Sequence, residues 1–378
     1  MEKKVSKVLH VSSASTWRGG EQQISYLLKG LGDLGVSNWV FCAKNGALEQ
    51  HCKSESIPYQ AVSKKGSSDL TFAAKLATWC KKIQPDLIHC HDSHAHTAAV
   101  LAKTVFSCKA NIVVSRRVDF PIAGNMLSKM KYNHPGVKGV FCVSKAIEEI
   151  VRKGLRTGDK AITIHSGVDL NRFKDIAPLN LSEVLAIPKE AMVIGNTSAL
   201  APHKDLIVFL KVAKNIIEGT DKEVHFILVG EGECRPELET FIAENNLKSK
   251  VHLVGFQENV GAWLKAFHLF LMTSKTEGLG TSLIDALASE IPIVATDAGG
   301  IGELIIHEKT GLLFPVGDVA GLSKGVMRNI QCDEEIPKLV QNGKRHSEEF
   351  SFNATALKTY EAYNAIVSSG SEYLKIQQ

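Results

Sequence analysis

The sequence lacks any apolar run long enough to cross a bilayer, and it carries little excess charge. A spanning helix needs about 20 apolar residues, and the first apolar segment, 8–11, is also too short for the core of a signal peptide. Basic residues number 44 and acidic residues 40, so the net charge of +4 argues against nucleic-acid binding along the whole chain. We therefore expect a cytoplasmic protein with no nucleic-acid partner.

Three patterns that would indicate a cofactor or a metal ion are also missing. The eight cysteines form no Cys-x-x-Cys pair, which favours buried thiols over a redox or zinc role. There is no Gly-x-Gly-x-x-Gly fingerprint for a dinucleotide and no Asp-x-Asp run suited to a divalent ion. Segment 89–96 holds four histidines, but His89 ends a predicted strand and the others follow in a turn, so we predict no zinc there. We expect no cofactor, and Asp92 becomes a candidate for acceptor binding.

The chain repeats one unit, a short apolar run followed by an amphipathic stretch of about 10 to 15 residues, which is typical of βα units in a parallel sheet. The repeat stops and restarts near residue 170. We predict an α/β protein with two Rossmann-like, doubly wound domains, 1–170 and 171–351, and a helix at about 352–378 that packs back on the first domain. Ligands bind at the carboxyl ends of parallel strands, so we expect the two domains to face each other across a ligand-binding cleft. The predicted strands lie near 7–12, 38–43, 86–90, 111–115, 138–143, 160–164, 192–198, 223–229, 250–254, 268–272, 292–296 and 311–314, and the predicted helices include 22–34, 203–218, 235–246, 258–266 and 281–289.

Two short motifs each lie between a predicted strand and a predicted helix. The first, Trp17 to Glu21, contains Gly19 and Gly20, where the backbone can approach a ligand closely and helix amides favour an anion. A tight turn with Glu21 in the first helical turn explains this motif equally well. The second motif places Lys204 ahead of a helix, where a lysine opposes the helix dipole unless both bind one phosphate. An inert surface lysine is the alternative there.

The third motif runs from Thr276 to Ala288 and is the most specific of the three. A loop carries Glu277 and two glycines, and a helix begins near Thr281 with Asp285 about one turn inside. Loop amides and the helix terminus converge where a diphosphate could bind, and Asp285 could accept hydrogen bonds from a ribose. Ser282 and Asp285 also have the spacing of a capping box, which would give both a structural role.

Glu277, followed eight residues later by an acidic residue, resembles the Glu-x7-Glu signature of the family 4 retaining glycosyltransferases, which have the two-domain GT-B fold. The resemblance covers nearly the whole chain in the same order. Its other segments are Trp17 to Glu21, Val143-Ser144, Ser166 to Asp169 with Phe173, Leu200 with Lys204, Val229 to Gly232, Pro292 to Leu304 and Gly311 to Leu313. The resemblance implies a metal-independent enzyme that moves a hexosyl or other glycosyl group from a nucleotide-diphosphate-sugar to a glycan or glycolipid, with retention at the anomeric carbon.

The same resemblance implies roles for individual residues. Lys204 would bind the diphosphate and Glu277 would contact the transferred sugar, which makes these two the catalytic candidates, while Asp285 would hold the ribose. The other donor contacts would be Gly19 and Gly20 from the amino-terminal domain, the backbone of Gly278, Leu279, Gly280 and Thr281 at the phosphate or sugar, and Gly230, Gly255 and Phe256 at the base. The acceptor-side candidates are Glu21, Asp92, Arg116 and Arg117.

Three positions depart from the family pattern. Ala199 precedes Leu200 where the family usually has arginine, so one cation for the diphosphate comes from elsewhere or is missing. Asp285 is one methylene shorter than the usual glutamate. Many members have a histidine after the fourth amino-terminal strand, but this chain reads Val114 to Asp119, which leaves one sugar or acceptor contact unassigned. The departures indicate a divergent branch or a weak activity.

Residues 115–156 concentrate positive charge, with nine basic and three acidic residues and a local net charge of +6. Apolar residues are interleaved with them, which would suit an anionic lipid-linked acceptor or a membrane surface. Solvated helix faces explain the same count. The expected partners are therefore a nucleotide-sugar donor and a glycan or lipid-linked acceptor, and a membrane contact would place the protein at the inner face of the membrane. The interleaved residues are Ile122, Met126, Leu127, Met130 and Tyr132.

Arg116-Arg117 and the opening Trp-x-Gly-Gly-Glu-x-Gln look more like bacterial cell-surface polysaccharide or lipopolysaccharide-type members than starch or sucrose enzymes. Other classes remain open. A nucleotide-sugar epimerase of similar fold would act without an acceptor, and a phosphorylase would need a pyridoxal-binding lysine pattern that we do not find. A sugar-binding receptor is disfavoured because no export signal is seen and because Lys204 suits a phosphate. A catalytically silent partner subunit is consistent with Ala199.

Overall fold

A computed structural model describes residues 4–66, 69–122, 126–331 and 334–369. The described chain divides into two compact units, one made of the residues up to 167 with those from 352 onward, the other of 168–351. The sequence prediction placed 168–170 in the first domain, whereas the structure assigns them to the second unit. The reason is local pairing, because the Val168 amide donates a 3.0 Å hydrogen bond to the Phe350 carbonyl.

The first unit is a parallel sheet with helices between its strands. In the described residues its strands are β1 (Lys7–Val11), β2 (Ser37–Ala43), β3 (Tyr59–Val62), β4 (Leu87–Cys90), β5 (Asn111–Arg116), β6 (Val137–Cys142) and β7 (Ala161–Thr163), in the spatial order β3-β2-β1-β4-β5-β6-β7. Its helices are α1 (Gly19–Asp33), α2 (Ala47–Ser54), α3 (Leu70–Ile83), α4 (Ser93–Val105), α5 (Met126–Tyr132) and α6 (Lys145–Arg152).

The second unit repeats this architecture. Among its described residues the strands are β8 (Met192–Thr197), β9 (Val224–Val229), β10 (Val251–Gly255), β11 (Leu269–Met272), β12 (Ile293–Thr296) and β13 (Leu312–Phe314), in the spatial order β10-β9-β8-β11-β12-β13. Its helices are α7 (Leu181–Leu185), α8 (Leu206–Gly219), α9 (Arg235–Glu244), α10 (Val260–Lys265), α11 (Thr281–Ala288), α12 (Ile301–Leu304), α13 (Val319–Ile330) and α14 (Ile336–Ser347).

The central strands are buried on both faces, which explains why they are almost continuously apolar. Every residue of β4, β11 and β12 is buried, as expected for a parallel sheet covered by helices. All strand pairs within each sheet are parallel, so the carboxyl ends of neighbouring strands meet at one edge. In the first unit these neighbours are β1, β4 and β5, and in the second they are β8, β11 and β12. Their following loops carry most of the predicted site residues.

The final helix, α15 (Phe352–Ser369), belongs to the first unit. It packs on α1, where Tyr26 stacks on Phe352 with ring centroids 5.7 Å apart. Tyr363 is fully buried beneath the sheet and its hydroxyl lies 2.5 Å from Nδ1 of His89. The part of the predicted helix beyond 369 lies outside the described residues.

Two further sequence features can be followed in the structure. None of the helices in the described residues combines the length and the apolar character that crossing a membrane requires.

The seven cysteines within the described ranges are free thiols, and all but the half-buried Cys234 are buried. Cys332 lies outside those ranges.

Two glycines of α1 give a test of how closely α15 packs on it. A Cβ added at Gly30 would lie 2.5 Å from Cβ of Ala356, whereas one at Gly32 would have the Asn38 side chain, at 3.9 Å, as its sole neighbour among the described residues. We expect Gly30→Ala to lower the free energy of unfolding by about 1–3 kcal/mol through overpacking. The matched control, Gly32→Ala, should raise it by about 0.5–1 kcal/mol through helix propensity. Urea unfolding of both variants measures the difference, and equal effects would contradict the packing.

Candidate functional site

Lys204 and Glu277 form an ion pair in the second unit. The two residues follow β8 and β11, which are neighbours in the sheet, so their loops meet at its carboxyl edge. The Ser274 hydroxyl donates a 2.9 Å hydrogen bond to the same carboxylate oxygen, Oε1, that binds the lysine. Both side chains are largely buried, with 16% and 10% of their surface exposed. The structure thus brings the two predicted catalytic residues into direct contact.

Lys204 lies in a short 3₁₀ turn, Pro202–Lys204, and α8 begins at Leu206 rather than near 203 as predicted. Asp205 connects the two with a left-handed backbone, φ +47°. The Thr273 hydroxyl lies 3.2 Å from the carbonyl oxygens of both Lys204 and Asp205. Because Thr273 directly follows β11 and begins the loop of Glu277, one strand end positions both partners of the ion pair.

The glycine-rich loop after Glu277 is held by a close backbone crossing. Gly299 has φ +59°, and a Cβ there would lie 2.1 Å from the Glu277 carbonyl oxygen. The same carbonyl accepts a 3.0 Å hydrogen bond from the Gly300 amide. Within the loop Leu279 and Gly280 are buried, while Gly278 and Thr281 are half-buried. Gly278 and Thr281 are thus the more exposed residues of the loop whose backbone is predicted to bind the phosphate or the sugar.

Asp285, the predicted ribose ligand, pairs with Arg172. Helix α11 begins at Thr281 without a side-chain cap, so the capping-box alternative for Asp285 does not hold. The guanidinium also lies over the ring of Phe173, 4.5 Å from its centroid. Burial raises the pKa of Asp285 to about 6, and the Arg172 charge opposes that rise. The sequence analysis missed Arg172, although Phe173 beside it was part of the family resemblance.

The residues predicted to bind the base lie together at the ends of β9 and β10. The Gly230 amide donates a 2.9 Å hydrogen bond to the Gly255 carbonyl. Gly230 has φ +147°, and a Cβ there would lie 1.9 Å from the Ser198 carbonyl oxygen, so only glycine is accommodated. Phe256 follows directly and is 74% exposed. The structure therefore presents an uncovered aromatic face next to this glycine turn.

In the first unit, Gly19 and Gly20 open α1. A Cβ added at either position would meet no atom of the described residues within 4 Å, so no packing within that part of the chain explains these glycines. Glu21 is buried and accepts a 3.0 Å hydrogen bond from the Arg18 amide, as in a capping box. Asp92 caps α4 and accepts a 2.6 Å hydrogen bond from the Ser13 amide. Glu21 and Asp92 thus both have structural roles in addition to the predicted acceptor-side role.

The two acceptor-side arginines point to different partners. Arg116 donates to the carbonyl of Phe120 and, at 3.2 Å, to the hydroxyl of Tyr132. Arg117 donates a 3.0 Å hydrogen bond to the His91 carbonyl, and its second terminal nitrogen lies 3.4 Å from Nδ1 of the His91 ring. Arg116 therefore holds the backbone at Phe120 and contacts Tyr132 of α5. Arg117 instead contacts His91, which is buried.

His91 belongs to a buried cluster with His10 and His89, whose ligand nitrogens lie within 4.8 Å of one another. The sequence analysis considered only the histidines of 89–96, because His10 comes from β1 and is distant in the chain. These three rings are the group among the described residues that could hold a metal ion. Each ring nitrogen already has a hydrogen-bond partner. Those of His10 contact Asn38 and His91, and those of His89 contact Tyr363 and Ser115. Those of His91 contact His10 and Arg117.

Two family models match the chain in succession. The model for Glycosyltransferase Family 4 matches residues 17–172, and the model for glycosyl transferases group 1 matches residues 179–346. Together with the two parallel sheets, these matches define a glycosyltransferase of the two-domain GT-B class. The chain belongs to the group 1 glycosyltransferases of family 4, and the resemblance found in the sequence is confirmed.

Individual proteins show the same relationship. The chain is 25% identical over 238 residues to the uncharacterized glycosyltransferase MJ1178 of Methanocaldococcus jannaschii, an alignment that spans 62% of each protein. It is 24% identical over 296 residues to the UDP-Gal:alpha-D-GlcNAc-diphosphoundecaprenol alpha-1,3-galactosyltransferase of Escherichia coli, covering 75% of this chain and 76% of that one. The crystal structure of HepE from Anabaena, in complex with UDP, superposes with a TM-score of 0.81 at 21% identity, covering 94% of this chain and 99% of that one. This likeness confirms the predicted fold.

The Arg172–Asp285 pair makes a prediction about titration. Removing the guanidinium in Arg172→Gln removes the charge that lowers the pKa of Asp285, so this pKa should rise above its value of about 6. The carboxyl carbon resonance of Asp285, followed by NMR between pH 4 and pH 8, gives the titration midpoint directly. Arg328→Gln, which removes the partner of Glu308 in the same unit, is the matched control and should leave the midpoint unchanged. An unchanged or lower midpoint in Arg172→Gln would contradict the ion pair.

Proposed function

We propose that the protein is a retaining glycosyltransferase that moves a sugar from a nucleotide-diphosphate-sugar to a glycan or lipid-linked glycan in bacterial cell-surface polysaccharide or lipopolysaccharide-type biosynthesis. The observation that carries this proposal is the ion pair of Lys204 and Glu277 at the ends of neighbouring strands. It holds a cation suited to the diphosphate next to a carboxylate suited to the transferred sugar. These are the two parts of the donor that separate during transfer.

The charges of the reaction explain why both groups are needed. Transfer breaks the bond between the anomeric carbon and a phosphate oxygen, so the nucleoside diphosphate leaves with added negative charge while positive charge develops on the sugar. Lys204 and the amides of Gly278 and Thr281 would stabilise the leaving diphosphate. Glu277 would face the sugar and stabilise its positive charge. No step of this scheme requires a resident metal ion.

Retention would follow from attack on the face that the diphosphate leaves. The acceptor hydroxyl oxygen forms its bond to the anomeric carbon as the bond from that carbon to the phosphate oxygen breaks. The departing phosphate takes the proton of the hydroxyl. The new glycosidic bond then has the configuration of the old one, and no second carboxylate nucleophile is required.

We propose a UDP-sugar as the donor. The HepE structures were determined with UDP and with UDP-glucose, and the Escherichia coli relative is named for UDP-Gal. In this chain Asp285 would accept hydrogen bonds from the ribose, and the base would lie beside Gly230, Gly255 and the exposed ring of Phe256. Because Asp285 already pairs with Arg172, the ribose would have to share or displace that partner.

We propose that the acceptor is carried by a lipid and that the first unit contacts the membrane. The support is an exposed apolar patch, next to α5 and on it, within the stretch of local net charge +6. Lys129, Lys145, Lys153 and Arg156 of this stretch are exposed, as contact with anionic headgroups requires. Two residues that the sequence analysis added to the patch, Ile122 and Tyr132, are buried. The patch consists of Val118, Phe120, Met126, Leu127 and Met130, which are 43% to 78% exposed.

The first experiment identifies the donor and separates the competing activities. A thermal-shift panel of uridine, guanosine, adenosine and cytidine diphosphates should show stabilisation by one of them, because a ligand that binds the folded state stabilises it by mass action. Incubation with the matching nucleotide-sugar and membrane lipid extract should then give a glycosylated product. An isomerised sugar formed from the donor alone would favour an epimerase. Donor binding without any product would favour a silent subunit, for which Ala199 is the supporting observation.

Variants of the ion pair test the catalytic assignment. Lys204→Ala and Glu277→Ala should each reduce transfer by at least about 10²-fold, the usual effect of removing one group that stabilises transition-state charge. Asp285→Ala should mainly raise the KM for the donor. The matched controls are Lys344→Ala and Glu290→Ala, which break a 2.6 Å ion pair elsewhere in the same unit and should stay within about twofold of wild type. Wild-type turnover by Lys204→Ala would remove the phosphate assignment.

The apolar patch predicts vesicle binding. The variant combining Phe120→Ser, Met126→Ser and Met130→Ser should bind vesicles with 30% phosphatidylglycerol at least about tenfold more weakly than wild type, because three apolar side chains no longer leave water. Exposed apolar residues elsewhere supply the control, Val184→Ser with Leu357→Ser, which are 51% and 47% exposed and should have no effect. Co-flotation measures the bound fraction. Equal bound fractions for the two variants would contradict the membrane assignment.

A further inference from the structure

A continuous chain of hydrogen bonds runs through the core of the first unit and ends at Arg117. Nε2 of His10 lies 3.1 Å from Oδ1 of Asn38, and Nδ1 of His10 lies 3.0 Å from Nε2 of His91. Nδ1 of His91 in turn lies 3.4 Å from a terminal nitrogen of Arg117. We refer to Asn38, His10, His91 and Arg117 as the histidine relay.

The direction of every hydrogen bond in the relay follows from its two ends. The Asn38 amide nitrogen donates a 2.9 Å hydrogen bond to the Leu28 carbonyl, so its oxygen accepts from Nε2 of His10. A neutral His10 then accepts at Nδ1 from Nε2 of His91, whose own Nδ1 accepts from Arg117, which can only donate. Burial lowers the pKa of His10 to about 4 and that of His91 well below its ordinary value, so both rings are neutral. One tautomer of each ring satisfies the whole chain.

No carboxylate is hydrogen-bonded to Arg117 in the described parts of the chain, where its partners are the carbonyl and the ring of His91. Arg152 and Arg172, by contrast, each bind a carboxylate directly. Nε of Arg117 is buried and has no hydrogen-bond partner among the described residues. Burial lowers the pKa of Arg117 to about 10, while the charges of Glu21 and Asp92 oppose that decrease. The guanidinium thus stays charged although it is largely withdrawn from water.

The surroundings of Arg117 favour an anion. It directly follows β5, at the carboxyl edge where α/β sheets bind ligands. Lys131 lies close enough to Arg116 for its pKa to be lowered by that charge as well as by burial, so cations crowd this edge. Of the two nearby carboxylates, Asp92 is occupied by hydrogen bonds from Ser13 and from the first amides of α4, and Glu21 by the Arg18 amide. An anion at this edge would pair with a guanidinium that no carboxylate binds directly, through the terminal N–H groups that His91 does not occupy.

We propose that Arg117 binds an anionic group of the acceptor, a phosphate or a carboxylate, and that the histidine relay positions Arg117 for this contact. The inference deepens the proposed function, on which it rests for the identity of the ligand as acceptor. Arg117 is then a binding residue, and His91 and His10 are positioning residues. A guanidinium recognises either anion through paired N–H donors, but only when its plane is fixed. The acceptor would therefore carry a charged group close to the hydroxyl that receives the sugar.

The test uses the Nε–H resonance of Arg117 in full-length protein labelled with ¹⁵N-arginine at pH 7, assigned by its loss in Arg117→Lys. Inorganic phosphate and malonate are titrated separately, and we expect at least one of them to shift this resonance along a saturable curve. His91→Leu removes the ring nitrogen that accepts from Arg117 while keeping the backbone carbonyl, and it should raise the dissociation constant at least tenfold. His91→Asn keeps an oxygen near the position of Nδ1 and should stay within about threefold of wild type.

Two controls make the result specific. Lys204→Ala, which removes the cation of the proposed donor site, should not change the titration, so phosphate binding there is separated from binding at Arg117. Selective ¹⁵N-histidine labelling should show His10 and His91 as neutral rings protonated at Nε2, which a purely packing role would not require. Should His91→Leu fail to fold, His10→Leu compared with His10→Asn gives the same contrast one step further along the relay.

Several outcomes would overturn the proposal. One is the absence of a saturable shift of the Arg117 resonance with either anion, and another is a shift that is lost only in Lys204→Ala. A third is an equal affinity for the anion in His91→Leu and wild type. The last is a histidine spectrum that equimolar Zn²⁺ changes, which would make the cluster a metal site. None of these measurements involves a donor sugar or a transfer reaction. A protein without transferase activity can therefore still bind the anion, and an active transferase can fail this test.

Discussion

The ion pair between Lys204 and Glu277 is the interaction on which the carboxyl edge of the second unit's sheet depends. Two opposite charges that are mostly withdrawn from water remain stable only together, because either one alone would lose its hydration without compensation. The surrounding hydroxyl groups serve this pair. Thr273 fixes the backbone of the lysine turn, Ser274 binds the carboxylate, and Thr296 donates a 2.7 Å hydrogen bond to the Ser274 carbonyl. The result is a preorganised pair of charges, which is what stabilising a leaving diphosphate requires.

The two units hold their charged groups by different means. In the second unit each candidate cation, Lys204 and Arg172, is balanced by a carboxylate. In the first unit Arg117 is held by a neutral ring and a carbonyl group, so its charge is not cancelled. The paired charges of the second unit suit a ligand that brings both signs of charge to the protein, as a sugar nucleotide does in its transition state. The arrangement around Arg117 in the first unit suits a ligand whose charge is negative throughout.

Much of the fold follows from the sequence because parallel strands buried on both faces are continuous apolar runs, which explains why strands such as β4 and β11 were predicted close to their observed bounds. The edge strand β3 was missed because Tyr59 to Ala61 are only half-buried and Gln60 interrupts the apolar pattern. The Lys204–Glu277 contact was predictable because both residues follow neighbouring strands. Arg172 and His10 were not, since each reaches its partner across a long stretch of sequence with no local periodicity to mark it.

The contact of Arg172 with Asp285 has a consequence for donor affinity under the proposed ribose assignment. The carboxylate assigned to the ribose is already occupied in the free protein, and it is buried in surroundings that disfavour a lone negative charge. If Asp285 binds the ribose as proposed, nucleotide docking would exchange one hydrogen-bonding partner of this carboxylate for another, and the observed affinity would report only the difference between them. Such an exchange would discriminate against molecules with no vicinal diol, since they would disturb the arginine contact without replacing it.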